Sequence, residues 1–229
     1  MPHRARGAIA TRAGWTWVLL SSLAITAYAV VPYLTASLAE LSEDGVGLAP
    51  NYDGRPGFVQ FAFYAHIIAG GIALVAGPLQ FWRGLRTRHP RVHRWTGRGY
   101  LVAVLIAGVA GLVMAPFNSA GLVGFFGFGA LAVLWIVTGV RAYRAIRAGD
   151  VPSHRAWMMR NFALTYAAVT LRLWIGVLLG VQALPGDFDF EAAFDNAYAA
   201  VPFLCWIPNL IVAEWLIRRR GLPSYALPA

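Results

Sequence analysis

The stretch FVQFAFYAHIIAGGIALVAGPLQFW (58–82), RGLRTRHPRVHRWTG (83–97), RGYLVAVLIAGVAGLVMAPF (98–117) decides how the chain is read. Two apolar runs flank one short loop crowded with arginine. Each run reaches the roughly 20 residues that a helix needs to cross about 30 Å of hydrocarbon. The same alternation continues in both directions. Apolar runs fall at 15–39, 58–82, 98–117, 122–142, 157–180 and 199–217. The reading is all-α: a polytopic membrane helix bundle of six transmembrane helices. It divides into an N-terminal tail (1–14), a membrane domain (15–217) and a C-terminal tail (218–229).

Composition agrees. Of 229 residues, 59% are hydrophobic and 13% charged, against about 45–50% and about 25% in soluble domains. Mean hydropathy is +0.58. Six spans leave no room for a soluble domain, and disorder is excluded by the apolar content. The first run is not a secretory signal, because its apolar core is too long and carries Trp15 and Trp17. The single cysteine, Cys205, excludes an internal disulfide and any cysteine-based metal cluster.

The net charge of +9 comes from nineteen arginines without one lysine. Basic character alone would suggest nucleic acid. Here the arginines sit in short loops, where they report topology instead. Arg4, Arg6 and Arg12 precede the first run. Arg83, Arg86, Arg88, Arg91, Arg94 and Arg98 lie between the second and third, and Arg141, Arg144, Arg147, Arg155 and Arg160 between the fourth and fifth. Arg218, Arg219 and Arg220 follow the sixth. Six spans put all of these on one side. The other side receives Glu40, Glu43, Asp44, Asp53, Asp187, Asp189, Glu191 and Asp195, with Arg55 the one opposing charge. By the positive-inside rule both termini are cytoplasmic. Trp82, Trp95, Trp157 and Trp215 fall near the inner boundaries, as an aromatic belt does.

The basic loops repeat. Arg83-x-x-Arg86, six residues, His93-Arg94 recurs as Arg144-x-x-Arg147, six residues, His154-Arg155. Helices 2–3 and 4–5 therefore read either as duplicated hairpins of one orientation, a parallel repeat, or as a chance match between arginine-rich inner loops. On the first reading His93 and His154 become equivalent positions on the inner rim, and helices 2–5 the functional core, with 1 and 6 outside it.

Several polar residues lie where lipid cannot satisfy them. His154, Asn161, Thr165 and Arg172 project along one stripe of the fifth run. His66, Gly70, Ala73, Gly77 and Gln80 follow helical spacing on the second, with His66 about 12 Å from its outer start. Two readings compete for these stripes. In one, small residues allow close helix packing, asparagine and threonine join helices, and Arg172 snorkels outward. In the other they form a ligand site. Arg172 and His66, at similar outer depth, would hold an anionic group such as a haem propionate, a quinone oxygen or a lipid phosphate. At the inner rim, His93 and His154 would ligate haem iron or a divalent metal, or simply bond backbone and headgroups. His89, beside Pro90, is a loop histidine. The run Asp187-x-Asp189-x-Glu191 with Asp195 is a solvated loop or a cation site. Glu214 is placed to pair with an inner arginine. No phosphate loop, Ser-His-Asp spacing or HExxH motif occurs, so enzymatic activity is neither indicated nor excluded.

The motifs together carry a resemblance. His66-Ile-Ile-Ala-Gly-Gly, Gly77-Pro78-Leu79-Gln80-Phe81, His93-Arg94-Trp95-Thr96-Gly97-Arg98-Gly99-Tyr100, His154-Arg155-Ala156-Trp157-Met158-Met159-Arg160 and Thr170-Leu171-Arg172-Leu173 resemble the bacterial membrane family called domain of unknown function 2306, over about residues 58–180. The resemblance implies a bacterial inner-membrane protein. It also implies that His66, Gln80, His93, Arg98, His154, Arg160 and Arg172 belong to a family pattern. It supplies no activity. In architecture alone, histidines on a four-helix membrane core are similar to those of b561-type di-haem cytochromes.

Three functions follow as expectations. The first is a haem b or quinone-linked electron carrier. It would use His66, His93, His154 and Arg172 for the cofactor and Gln80, Arg98, Asn161 and Thr165 for the pocket, with His93 and His154 as iron ligands. The second is a non-catalytic protein that assists assembly of a partner complex or binds a small ligand. The third is a small transporter, against which stands the absence of an obviously broken helix. The lipid bilayer is the one certain partner; a quinone or redox partner belongs to the first reading, and nucleic acid to none. Reporter fusions at Ala229 and Glu191 should give opposite sidedness; the same sidedness would refute the six-span topology.

Overall fold

The computed structural model describes residues 2–184, 186 and 188–224, with side chains from residue 13 onward. Among these residues all regular structure is helical. Helix α1 (Pro2–Thr35) precedes two short helices, α2 (Leu38–Glu43) and α3 (Ala49–Tyr52). Then come α4 (Gly57–Phe81), α5 (Arg83–Arg88), α6 (Pro90–Met114), α7 (Gly121–Arg147), α8 (Val151–Thr165), α9 (Ala167–Gln182), α10 (Phe190–Leu204) and α11 (Ile207–Arg219). Five segments are long and apolar enough to cross a bilayer: Ala13–Thr35, Gly57–Phe81, Pro90–Phe117, Gly121–Arg147 and Phe190–Arg219. A sixth is the pair α8–α9, if it crosses as one unit despite its bend of 41°.

The bundle is organised inside out relative to a soluble protein. Phe61, Leu122 and Leu184 are at least 75% exposed, on faces suited to lipid tails. The interior mixes many small residues with large buried side chains such as Phe63, Tyr100 and Ile217, and a few polar groups. Helices α4 and α6 pack closely through Ala69, Ala73, Ala103 and Ala107, as membrane helices do where little hydrophobic drive separates one apolar surface from another. Gly77 of α4 is required by contact: a Cβ there would run into the ring of Phe162 on α8. Helix α1 packs on α4, and Trp15 donates from Nε1 to the Pro78 carbonyl at 2.9 Å. Helices α10 and α11 pack on α9, α7 and α8.

Buried polar residues meet at the centre. The Tyr100 hydroxyl on α6 donates to Asn161 Oδ1 on α8 at 2.6 Å and lies 2.8 Å from the Thr165 hydroxyl. Asn161 Nδ2 donates to the Trp135 carbonyl at 2.8 Å and to Thr138 Oγ at 2.9 Å, both on α7. Trp135 Nε1 donates to Thr165 Oγ at 2.9 Å. Asn161 thus uses its acceptor and both donors, and three helices are joined by one satisfied network.

The fifth apolar run is not one continuous helix, contrary to the sequence expectation. It breaks at Tyr166. Thr165 bonds back to the carbonyl four residues earlier, Asn161, a pattern that bends helices. A second discontinuity lies beside the first, between α10 and α11, where Pro202 removes a backbone donor. The two breaks satisfy one another. Thr170 Oγ donates to the Cys205 carbonyl at 2.6 Å. Asn209 Nδ2 reaches the Ala163 carbonyl at 3.1 Å, and the Thr170 hydroxyl and Cys205 carbonyl at 3.0 Å each. Irregular backbone at membrane depth survives where protein groups replace the missing bonds.

At the acidic end, α2 and α3 close the bundle. Ser37 and Glu40 form a reciprocal capping box. Phe63 stacks on Tyr52 at 4.7 Å and meets the edge of Tyr33 at 5.0 Å. Asn51 Nδ2 donates to the Phe117 carbonyl at 2.8 Å.

Tyr100→Phe should lower unfolding stability in detergent by about 1–2 kcal/mol, because it leaves Asn161 Oδ1 without a donor. Asn161→Leu should cost more, because it strands groups on α6 and α7 together. Equilibrium unfolding of both variants checks the ranking.

Candidate functional site: an arginine-rich cavity

Basic loops bring α4, α6, α7, α8 and the end of α11 around one opening. Between them lies a cavity of about 630 Å³. Its walls carry six arginines, Arg86, Arg94, Arg98, Arg147, Arg155 and Arg220, with His93, His154 and Gln80. Phe81, Leu101, Ile146, Met158 and Met159 supply an apolar floor. Among the described residues no carboxylate is in the lining.

Local structure fixes several of these groups. Gln80 is buried at the end of α4 and donates from Nε2 to Thr96 Oγ at 2.8 Å. Arg86 caps the same helix end, its Nη1 donating to the Gln80 and Phe81 carbonyls at 3.2 Å each. Desolvation against the cavity wall pushes the Arg86 guanidinium below its usual range, and the charges of Arg155, Arg220 and Arg83 push the same way. Arg98 lies over the Trp95 ring at 5.0 Å, a cation–π contact at the rim.

The two rim histidines occupy matching positions in different states. His93 is in the first turn of α6, and His154 in the first turn of α8. His154 Nδ1 lies 2.9 Å from the Ala142 carbonyl, so it must carry the proton and leave Nε2 free to accept. His93 Nδ1 is buried and has no hydrogen-bond partner.

Beside the cavity, Arg160 of α8 forms a two-pronged ion pair with Glu214 of α11. Nε meets Oε1, and Nη2 meets Oε2 at 3.0 Å. The Arg160 guanidinium also lies 4.7 Å from the Trp157 ring centre. Glu214 is therefore committed to structure, as its place in the sequence suggests.

The structure distributes the sequence-derived residues over three places. Gln80, His93, Arg98 and His154 line the cavity. Asn161 and Thr165 belong to the central network and line no wall of it. His66 and Arg172 lie toward the other end. His66 Nδ1 donates to the Ala107 carbonyl at 2.8 Å, and its ring meets the edge of Trp135 at 6.4 Å. The break at Tyr166 separates Arg172 from the stripe that the sequence assigns it. Among the described residues no three His, Cys, Asp or Glu side chains come together as a metal cluster. Asp187 lies outside the described residues, and Asp189 caps α10 by accepting from the Glu191 and Ala192 N–H groups.

Sequence reasoning missed Tyr100, Trp135 and Thr138. One signal for Tyr100 was available. It lies 61 residues before Asn161, the same offset that relates His93 to His154.

Apolar helices of spanning length, lipid-suited outer faces and a central polar network that joins three of the helices define a multi-pass helical membrane protein. More particularly, the chain belongs to the family described as predicted membrane protein DUF2306, whose family model matches residues 63–217. The match extends past the 58–180 core to include α10 and most of α11. No curated protein and no solved structure matches the chain.

Arg160→Ala should destabilise the fold by about 1–2 kcal/mol. This is less than for a fully buried pair, because the Glu214 side chain is 31% exposed. Thermal unfolding of Arg160→Ala beside Arg160→Ala/Glu214→Leu checks it. The double variant should recover part of the loss.

Proposed function

We propose that the protein is a membrane-embedded binding protein that holds an acidic ligand with an apolar body in the arginine-rich cavity. The carrying observation is the charge balance of the walls: among the described residues, six arginines and two histidines surround about 630 Å³, with no carboxylate. Like charges brought together on partly desolvated walls raise the free energy of the empty site, and an anion lowers it. Planar guanidinium forks suit carboxylate or phosphate oxygens. Phe81, Leu101, Ile146, Met158 and Met159 suit a ring system or an acyl chain. In this reading the arginines bind and orient the acid, Gln80 fixes the end of α4, and the central network keeps α6, α7 and α8 in register beneath.

The test uses purified full-length protein, titrated with hemin, a long-chain alkyl phosphate and an uncharged quinone. The two acids should bind more tightly than the quinone, and their affinity should fall with ionic strength. Arg98→Gln/Arg155→Gln should weaken acid binding about 10- to 100-fold while leaving unfolding temperature within a few degrees of wild type. Equal affinity for acid and quinone, unaffected by that double variant, would refute the reading.

A second reading makes the ligand haem b and the protein an electron carrier. It is favoured by His154, whose Nδ1 is held by a backbone carbonyl while Nε2 is free, the arrangement usual for a metal-ligating imidazole. Haem bound there would supply one-electron exchange, with the cavity arginines pairing its propionates. Haem-replete wild type should then show a reduced-minus-oxidised absorption difference that His154→Ala abolishes or shifts. A colourless protein removes the haem reading and leaves the acidic-ligand reading standing.

A further inference from the structure

Far from the cavity, Arg172 projects from α9 toward α1. One of its nitrogens donates to the Ala168 carbonyl of its own helix at 2.7 Å, and its guanidinium carbon is 5.8 Å from the Tyr28 ring centre. Helix α9 packs against α1 and α10. Among the described residues no carboxylate pairs with Arg172. A guanidinium has five N–H donors, and one helix carbonyl accounts for a small part of them.

This setting differs from that of the other arginine placed deep in the helices, Arg160, which has Glu214. A charge within a bundle that lacks a counter-ion is costly. Snorkelling would explain Arg172 if its head reached water. Instead the head is turned across its helix toward aromatic rings, about ten residues short of the end of α9 at Gln182. One wall of the group is open: Tyr28 is 67% exposed on the lipid-suited face of α1. The opposite wall is closed by Tyr33, whose hydroxyl accepts from the Leu48 N–H at 2.9 Å beneath the α2–α3 cap.

The geometry points to a second anion site, between α1, α9 and α10, in which Arg172, beside the Tyr28 ring, binds a phosphate group. Guanidinium supplies the charge and a two-pronged donor set, and the exposed Tyr28 marks a membrane-accessible edge. The open side faces the bilayer, so the phosphate comes from a lipid headgroup; a soluble phosphate entering from the acidic end is the other source of the same chemistry. The site shares no residue with the cavity and stands independently of the function assigned there.

The experiment compares full-length wild type with Arg172→Gln and Arg172→Lys. One arm reconstitutes each with phosphatidylglycerol and counts lipids kept through a delipidating wash by native mass spectrometry. The other measures thermal stabilisation by inorganic phosphate in lipid-free detergent. Retention should fall about tenfold or more in Arg172→Gln and less in Arg172→Lys, which keeps the charge and loses the fork. Arg172-dependent stabilisation by inorganic phosphate without lipid retention would keep the site and assign it to a soluble anion. Arg98→Gln/Arg155→Gln should leave the Arg172-dependent retention unchanged, so failure at either site is read separately. Equal behaviour of wild type and Arg172→Gln in both arms would overturn the proposal. Should Arg172→Gln not fold, Arg172→Lys is read alone, since it loses the planar fork without losing the charge. It should lower retention several-fold, and unchanged retention would overturn the proposal equally.

Discussion

The hydrogen bond from Tyr100 to Asn161, 2.6 Å long, is the contact on which the bundle's geometry turns. Apolar helices in lipid have many nearly equivalent ways to pack, because sliding one past another exposes nothing worse than it buries. A fully satisfied polar network removes that freedom. Asn161 binds α7 through Trp135 and Thr138 and α6 through Tyr100. Any slip of α8 by a turn would leave several buried groups unpaired at once. Register set there carries to the rim, where the same helices place His93, Arg98 and His154 around the cavity.

The two broken helices belong to the same logic. A break frees carbonyls that lipid cannot satisfy, so α9 and α11 share their defects, with Thr170 and Asn209 bridging between them. Beyond the bend Arg172 meets Tyr28 of α1, whereas Asn161 and Thr165 before it bond to α6 and α7.

Much of this was legible beforehand, for physical reasons. That the chain is a bundle of apolar helices of spanning length follows from hydrocarbon thickness, a local property of sequence. That His93, His154, Gln80 and Arg98 stand out follows from their place beside apolar runs; the structure sets them around one cavity. The break at Tyr166 was not legible: threonine back-bonding becomes a bend only when a neighbour such as Asn209 takes up the freed carbonyl. Tyr100, Trp135 and Thr138 escaped because aromatic and hydroxyl side chains blend into apolar runs, and their partners lie on other helices. Glu214 was half legible, since its need for an arginine was plain and the choice of Arg160 depended on how α11 crosses α8.

The offset of 61 residues has a consequence for symmetry. It pairs positions that the structure treats unequally. Tyr100 and Asn161 touch, and His93 and His154 share one cavity. The tyrosine–asparagine pair has a direction, with the donor on α6 and the acceptor on α8. The same inequality reappears at the rim: of two imidazoles in the first turns of α6 and α8, one is tied to a carbonyl, and the other holds a buried nitrogen with no partner among the described residues. The cavity wall is therefore chemically lopsided across the two helices that carry these imidazoles.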